Sequence, residues 1–154
     1  LEAANWAPTH RKTEPWRFKV LKGESKNNLG KFLAEKYKEI TLNFSEFKYN
    51  SLIENAKKSS VIILICLQRD PLESIPEWEE IAAVSMSVQN MWLMSSNLKI
   101  GSYWSSPKLI NYINEFTALN KGETCLGFYY MGNYDKEINQ RTPGDIKDKT
   151  IWLG

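Results

Sequence analysis

Seven apolar residues, Val61-Ile62-Ile63-Leu64-Ile65-Cys66-Leu67, follow one another without a polar break. Most of them are β-branched. A strand with one wet face alternates apolar and polar residues, and this one does not. The run therefore reads as a strand buried on both faces, in the middle of a sheet. Such a strand needs a layer packed on each side, so the rest of the chain must supply helices for two layers.

The flanking segments offer them. Leu1 to Trp6 reads as the end of a helix that Pro8 stops. Residues 16–22, between Pro15 and Gly23, read as a strand. In residues 24–44, Leu29, Phe32, Leu33, Tyr37 and Ile40 recur at helical spacing on one face. A second helix is predicted over 49–58. After the polar turn 69–75, Pro76 opens a long helix with Glu77, Glu79 and Glu80 in its first turn, where carboxylates suit the dipole. It runs to Leu98 and stops before Gly101. This helix carries Ile81, Ala82, Ala83, Val84, Met86, Val88, Met91, Trp92, Leu93 and Met94, and is apolar nearly all round. It reads as a central core helix and a subunit interface at once. Residues 101–116 give a short strand, a turn and a helix, with Ser106 as N-cap and Pro107 as first helical residue. Residues 123–134 are another strand. The polar tail ends in Ile151-Trp152-Leu153, which reads as an end that docks on its own domain or on a partner subunit. The order α-β-α-α-β-α-β-α-β predicts a single domain, an α+β or α/β sandwich with a small mixed sheet.

Several function classes fall away. A net charge of +2 on 154 residues is too small to imply nucleic acid or an acidic membrane surface. No apolar stretch approaches the roughly 18 residues of a membrane span. Cys66 and Cys125 lie in separate apolar runs and read as buried, reduced thiols, which makes the cytoplasm the default location. Dinucleotide, P-loop and G-x-S-x-G signatures are all missing. One histidine and two distant cysteines make no zinc site. Adjacent Glu79 and Glu80 point apart on a helix and read as its solvated start. No catalytic side chain or metal ligand stands out, so an enzyme built on this chain would rely on a cofactor.

Two stretches carry unusual chemistry. The first, "NWAPTHRKTEPWRF", holds Trp6, Thr9 and the sole histidine, His10. The second, "GSYWSSP", holds Trp104, Ser105 and Ser106 beyond the end of the long helix. Both couple aromatics to small hydroxyls and main-chain amides, which suits a flat heteroaromatic ring with polar edges. Each residue also has a plainer reading. Trp16, Phe18 and Trp104 read as core, Ser106 as a cap, and His10 as a satisfied loop residue. It is their concentration in two short stretches that points to a site.

Taken with "PEWEEIAAVSMSVQNMWLMSSNLKI" and "LGFYYMGNY", these stretches resemble the FMN-dependent nitroreductase family over nearly the whole chain. The resemblance implies an α+β, three-layer sandwich with a central mixed sheet flanked by helices, assembled as a homodimer. FMN then sits at the subunit interface, and the long helix is the dimer helix. Trp6, Thr9 and His10 would reach the FMN of the opposite subunit, with Trp6 offering a stacking group where a relative has arginine. Trp104, Ser105 and Ser106 would line the isoalloxazine, Ser105 through its main chain. Arg141 would be a tail contact to the phosphate. The family's Arg-Arg-Ser block, which grips the FMN phosphate, lies about one helix ahead of Leu1, so the resemblance implies a segment missing there. The implied activity is ping-pong hydride transfer from NADPH or NADH to nitro compounds, quinones or similar electrophiles. The alternatives are a flavin-binding protein for storage or sensing and a dimeric interaction domain without cofactor.

Overall fold

The computed structural model describes residues 1–134 and 142–154. Among the described residues four strands form one sheet: β1 (Trp16–Lys22), β2 (Val61–Gln68), β3 (Gly101–Ser105) and β4 (Glu123–Gly132), in the order β1-β2-β4-β3. As the unbroken apolar run predicts, β2 is an inner strand, and its residues 62–67 are all buried. All three pairings are antiparallel, which corrects the expected mixed sheet. The element order is the predicted one. It permits parallel pairing, but β2 and β3, which α4 joins and which run the same way, are separated by β4 and do not pair.

The helices are α1 (Glu2–Asn5), α2 (Glu24–Ile40), α3 (Glu46–Lys58), α4 (Glu77–Asn97) and α5 (Ile113–Phe116). Alternate residues of β2 feed two cores. Ile62, Leu64 and Cys66 pack with Leu29 and Leu33 of α2, Ala56 of α3 and Ile113 of α5. Ile63, Ile65 and Leu67 pack with Ala83, Val84, Val88 and Met91 of α4. The result is the three-layer α+β sandwich.

Local chemistry sets the boundaries. The helix expected from residue 49 begins at Glu46, because the Ser45 hydroxyl accepts the Lys48 N–H at 3.4 Å and caps it. At its far end the buried Lys26 ammonium donates to the Ala56 and Lys57 carbonyls at 2.9 and 3.0 Å. Those carbonyls would otherwise lack partners, and a cation there suits the helix dipole. Gly30 lets α2 and α3 close together, since a Cβ there would stand 2.6 Å from that of Ala56. α4 ends as Lys99 turns left-handed at φ +57°. Ser106 is not an N-cap: Pro107 holds that position, and a 3-10 turn over Lys108–Tyr112 precedes α5. Pro107 is itself still extended, at ψ 158°, so the turn starts at Lys108 and the cap falls one residue later.

α4 is not uniform around its axis. Glu80, Ala83, Val84, Ser87, Val88, Met91 and Ser95 form a buried stripe at helical spacing. Trp78, Leu93 and Met94 remain exposed on the outer side. Glu79 and Glu80 are not a solvated start. Glu80 is fully buried against the Arg69 guanidinium and accepts the Asp70 N–H at 2.9 Å, while Glu79 is drawn toward the chain's N-terminal arm. Ile151, Trp152 and Leu153 are exposed, so the apolar end does not dock on its own domain. Among the described residues no helix is long and apolar enough to cross a membrane.

Candidate functional site

Between α1 and β1 the chain forms a tight arm. Arg11, Lys12 and Glu14 all have positive φ, at 52°, 55° and 43°. Left-handed backbone costs a residue with a side chain roughly 1–2 kcal/mol. Such strain persists only where the surroundings hold it, and it clusters at functional sites. Here the holds are visible. The Thr9 and Thr13 hydroxyls lie 3.1 Å apart, and the Glu14 N–H donates to the Thr9 hydroxyl at 3.3 Å. Arg17 donates to the Glu14 carbonyl at 2.8 Å. The Trp16 indole N–H donates to Asn5 at 3.1 Å, closing the base of the arm. The Asn90 amide of α4 donates to the Ala3 carbonyl at 3.1 Å.

The arm delivers His10 to the first turn of α4. His10 Nδ1 lies 2.5 Å from Glu79 Oε2. A carboxylate acceptor fixes the proton on Nδ1, so a neutral ring presents its lone pair at Nε2. Nε2 has no partner among the described residues. His10 is exposed, and with Pro8, Thr9, Trp78, Ala82 and Met86 it lines a cavity of about 300 Å³. Thr9 and His10 are thus brought together. Trp6 is not with them. It is 78% exposed, donates to Glu2 at 3.1 Å, and lines a separate groove with Leu93 and Met94.

The second constellation closes β3. The Trp104 indole N–H donates to the Leu126 carbonyl at 3.3 Å, and the ring lies against bare Gly127. Gly127 has φ +156°, and a Cβ on it would stand 2.1 Å from the indole nitrogen. Glycine is therefore the seat of Trp104. Ser105 is half-buried opposite Phe128, and Ser106 follows on the outside of the turn. Because β3 is an edge strand, part of its main chain faces away from the ladder. On the other face of β3, Tyr103 stacks on Tyr130 with centroids 4.9 Å apart. Burial pushes both phenols up.

β1, into which the arm leads, and β3, which carries Trp104, are the two edge strands, three inter-strand steps or about 14 Å apart. Neither of the cavities at the arm is lined by Trp104, Ser105 or Ser106. Arg141 lies outside the described residues. Sequence reasoning missed two carboxylates. Glu80 was detectable, since it falls on the stripe of Ala83, Val84 and Ser87. Glu79 was not, because its partner is 69 residues away.

Comparisons with known proteins agree with this fold. The Nitroreductase family model matches residues 1–133. The Bacillus subtilis protein YfhC, a candidate NAD(P)H nitroreductase by its name, is 30% identical over 154 residues, covering 97% of this chain and 78% of its own. A nitroreductase-like protein from Bacillus cereus superposes with a TM-score of 0.78 at 23% identity, over 99% of this chain and 80% of that one. A structure from Desulfovibrio desulfuricans, described as a nitroreductase in complex with FMN, superposes at 0.69 with 23% identity, over 100% of this chain and 81% of that one.

Proposed function

The chain belongs to the Nitroreductase family and is an oxidoreductase, and on that footing we propose that it uses NAD(P)H to reduce nitro compounds, quinones or similar electrophiles on FMN held between two copies of itself. The observation that carries this reading is the strained arm that presents His10, pinned by Glu79, beside the exposed apolar side of α4. A chain rarely keeps three left-handed side-chain residues and an exposed Trp-Leu-Met surface without use for them. Two reduced, buried thiols fit a cytoplasmic location.

The residues suit a flavin. Its ring needs apolar walls and polar groups at one rim. Trp104, seated on Gly127, supplies a wall, and the arm supplies Thr9, His10 and an apolar hollow. The separation of the two constellations within one chain supports a site built from two chains. In that assembly the arm of one copy meets Trp104, Ser105 and Ser106 of the other. The exposed outer side of α4 supports the same reading, as does the exposed Ile151-Trp152-Leu153 end. Trp6 then offers a stacking face across the interface.

Bound there, FMN supplies two-electron hydride transfer between the nicotinamide and the acceptor. The protein's own groups bind and tune. His10 Nε2 hydrogen-bonds the polar rim of the ring, and Glu79 holds the imidazole in one tautomer and orientation. Main-chain amides of Ser105 and Ser106 would offer hydrogen bonds to negative charge on the ring. The second copy excludes water from the ring. None of these side chains is assigned as acid or base.

The test uses full-length protein. FMN titration should give a dimer with one flavin per chain, and NADPH or NADH should bleach its absorbance under anaerobic conditions. His10→Ala should weaken FMN binding about 5- to 20-fold, the scale of one hydrogen bond to a polar ring. Protein that takes up no FMN, or that binds it tightly as a monomer, would overturn the proposal. Flavin that binds but never bleaches would leave a binder and remove the enzyme.

A further inference from the structure

Cys66 and Cys125 face each other at the centre of the sheet because of an irregularity. β2 and β4 pair Ile65 with Gly127 and then Cys66 with Cys125, passing over Leu126. A regular ladder would set Leu126 opposite Cys66 and Cys125 opposite Leu67, which packs beneath α4. The bulge instead turns Cys125 to the α2 side, into the same core as Cys66. Opposed residues on antiparallel strands have Cα atoms about 4.5–5.5 Å apart. A disulfide spans about 4.4–6.8 Å.

The thiols share a polar environment as well as a core. Cys66 and Cys125 are direct neighbours across the two strands, and the Cys125 S–H reaches the Gly127 carbonyl at 3.6 Å. The Cys125 thiol opposite it, aided by burial, pushes the Cys66 thiol up. Cys66 in turn draws the Cys125 thiol down, against the effect of its burial. At the end of the row, Glu123 is buried on this face with Lys19 Nζ 2.6 Å from its carboxylate. Lys19 is half-buried on the edge strand β1.

We propose that Cys66 and Cys125 are a redox-active dithiol, a modification site that closes a cross-strand disulfide on reaction with hydrogen peroxide. The Cys125 sulfur attacks one peroxide oxygen. An S–O bond forms, the O–O bond breaks, and the departing oxygen leaves as water with the thiol proton. The Cys66 sulfur then attacks Cys125. The S–S bond forms, the S–O bond breaks, and a second water leaves with the second proton. The two sulfurs together lose two electrons, and the peroxide gains them. A reagent this small needs only a local opening of the β1 edge at Lys19. The disulfide would tie the strands one residue from the bulge on which Trp104 rests.

The experiment takes the whole chain, fully reduced, and exposes it to hydrogen peroxide while folded. Free thiols are then alkylated after denaturation, and mass spectrometry reads the product. The expected result is loss of two hydrogens, no alkylation at either cysteine, and a peptide pair joined through Cys66 and Cys125. Dithiothreitol should restore both thiols. Cys66→Ser should instead leave Cys125 carrying added oxygen, with no internal link. Two thiols that still alkylate fully would overturn the proposal. So would oxidation of each cysteine separately in the unsubstituted protein, or a link formed only between chains.

Discussion

On one face of the sheet, Ile62, Leu64, Phe128 and Tyr130 are sealed beneath α2 and α3, and Gly30 lets those helices close together above them. On the other face, Ile63, Ile65, Leu67 and Tyr129 are covered by α4, whose own outer side leaves Trp78 and Leu93 more than half exposed. Both faces have a dry core. They differ in what lies beyond the helix layer: exposed apolar side chains on the first are gathered at the α2–α3 turn, at Leu42, Phe44 and Phe47, whereas on the second they run along the outer side of α4 from Trp78 to Met94. The strained arm lies on the second side. The finished face explains why the chain folds, and the unfinished one is where its function is expected.

The largest effect should come from the one charged contact buried under α4. Arg69→Met leaves the Glu80 carboxylate in the core with only the Asp70 N–H to meet it. Removing one partner of a buried pair costs about 3–5 kcal/mol. Urea unfolding should show that loss, and a change below about 1 kcal/mol would mean the pair is open to water. Next is the finished face. Leu33→Ala in its core should cost about 2–5 kcal/mol by the same measurement.

The sequence carried the layers and obscured the site. β2 was legible because an unbroken apolar run can satisfy only a strand buried on both sides. The face of α2 was legible because Leu29, Leu33 and Tyr37 recur at the helical period. The sense of the strands was not, since strand–helix–strand order is compatible with parallel and antiparallel returns alike. In the site, His10 and Trp104 stood out through residue type and company. Their neighbours did not. No local pattern announces that Arg11, Lys12 and Glu14 are left-handed, because none of them is glycine. No pattern reports that Glu79 meets His10, because tertiary packing alone brings them together.

A smaller effect concerns an ionised carboxylate within the finished face. Burial pushes the Glu123 carboxyl up, but the Asn120 N–H and Lys19 outweigh it, and the net shift is downward from 4.5. A depressed folded value means that the contribution is fully present above the unfolded value and is lost as pH falls through the folded one. Stability should therefore hold above pH 4.5 and decline below it. Glu123→Gln should cost about 1–2 kcal/mol at neutral pH. It should also flatten the acid limb of the stability profile. An unchanged acid limb would show that Glu123 is not a source of it.

The smallest change in chain stability is expected where the comparison is sharpest. Leu93 is a large apolar residue, 61% exposed on the outer side of α4. Within one chain it packs against little, so Leu93→Glu should alter unfolding of the isolated chain by no more than about 0.5 kcal/mol. If a second copy covers that side, the substitution buries a charge in an apolar interface, and like charges from the two copies meet or nearly meet there. Light scattering should then show the mass fall by half while the circular dichroism spectrum is unchanged. FMN uptake should fall with it, because the arm of one copy no longer reaches Trp104 of the other. A dimer that survives Leu93→Glu would place the interface elsewhere. A monomer that still binds FMN tightly would show that one chain holds the whole site, and the difference between the two faces would then have to be explained without a partner.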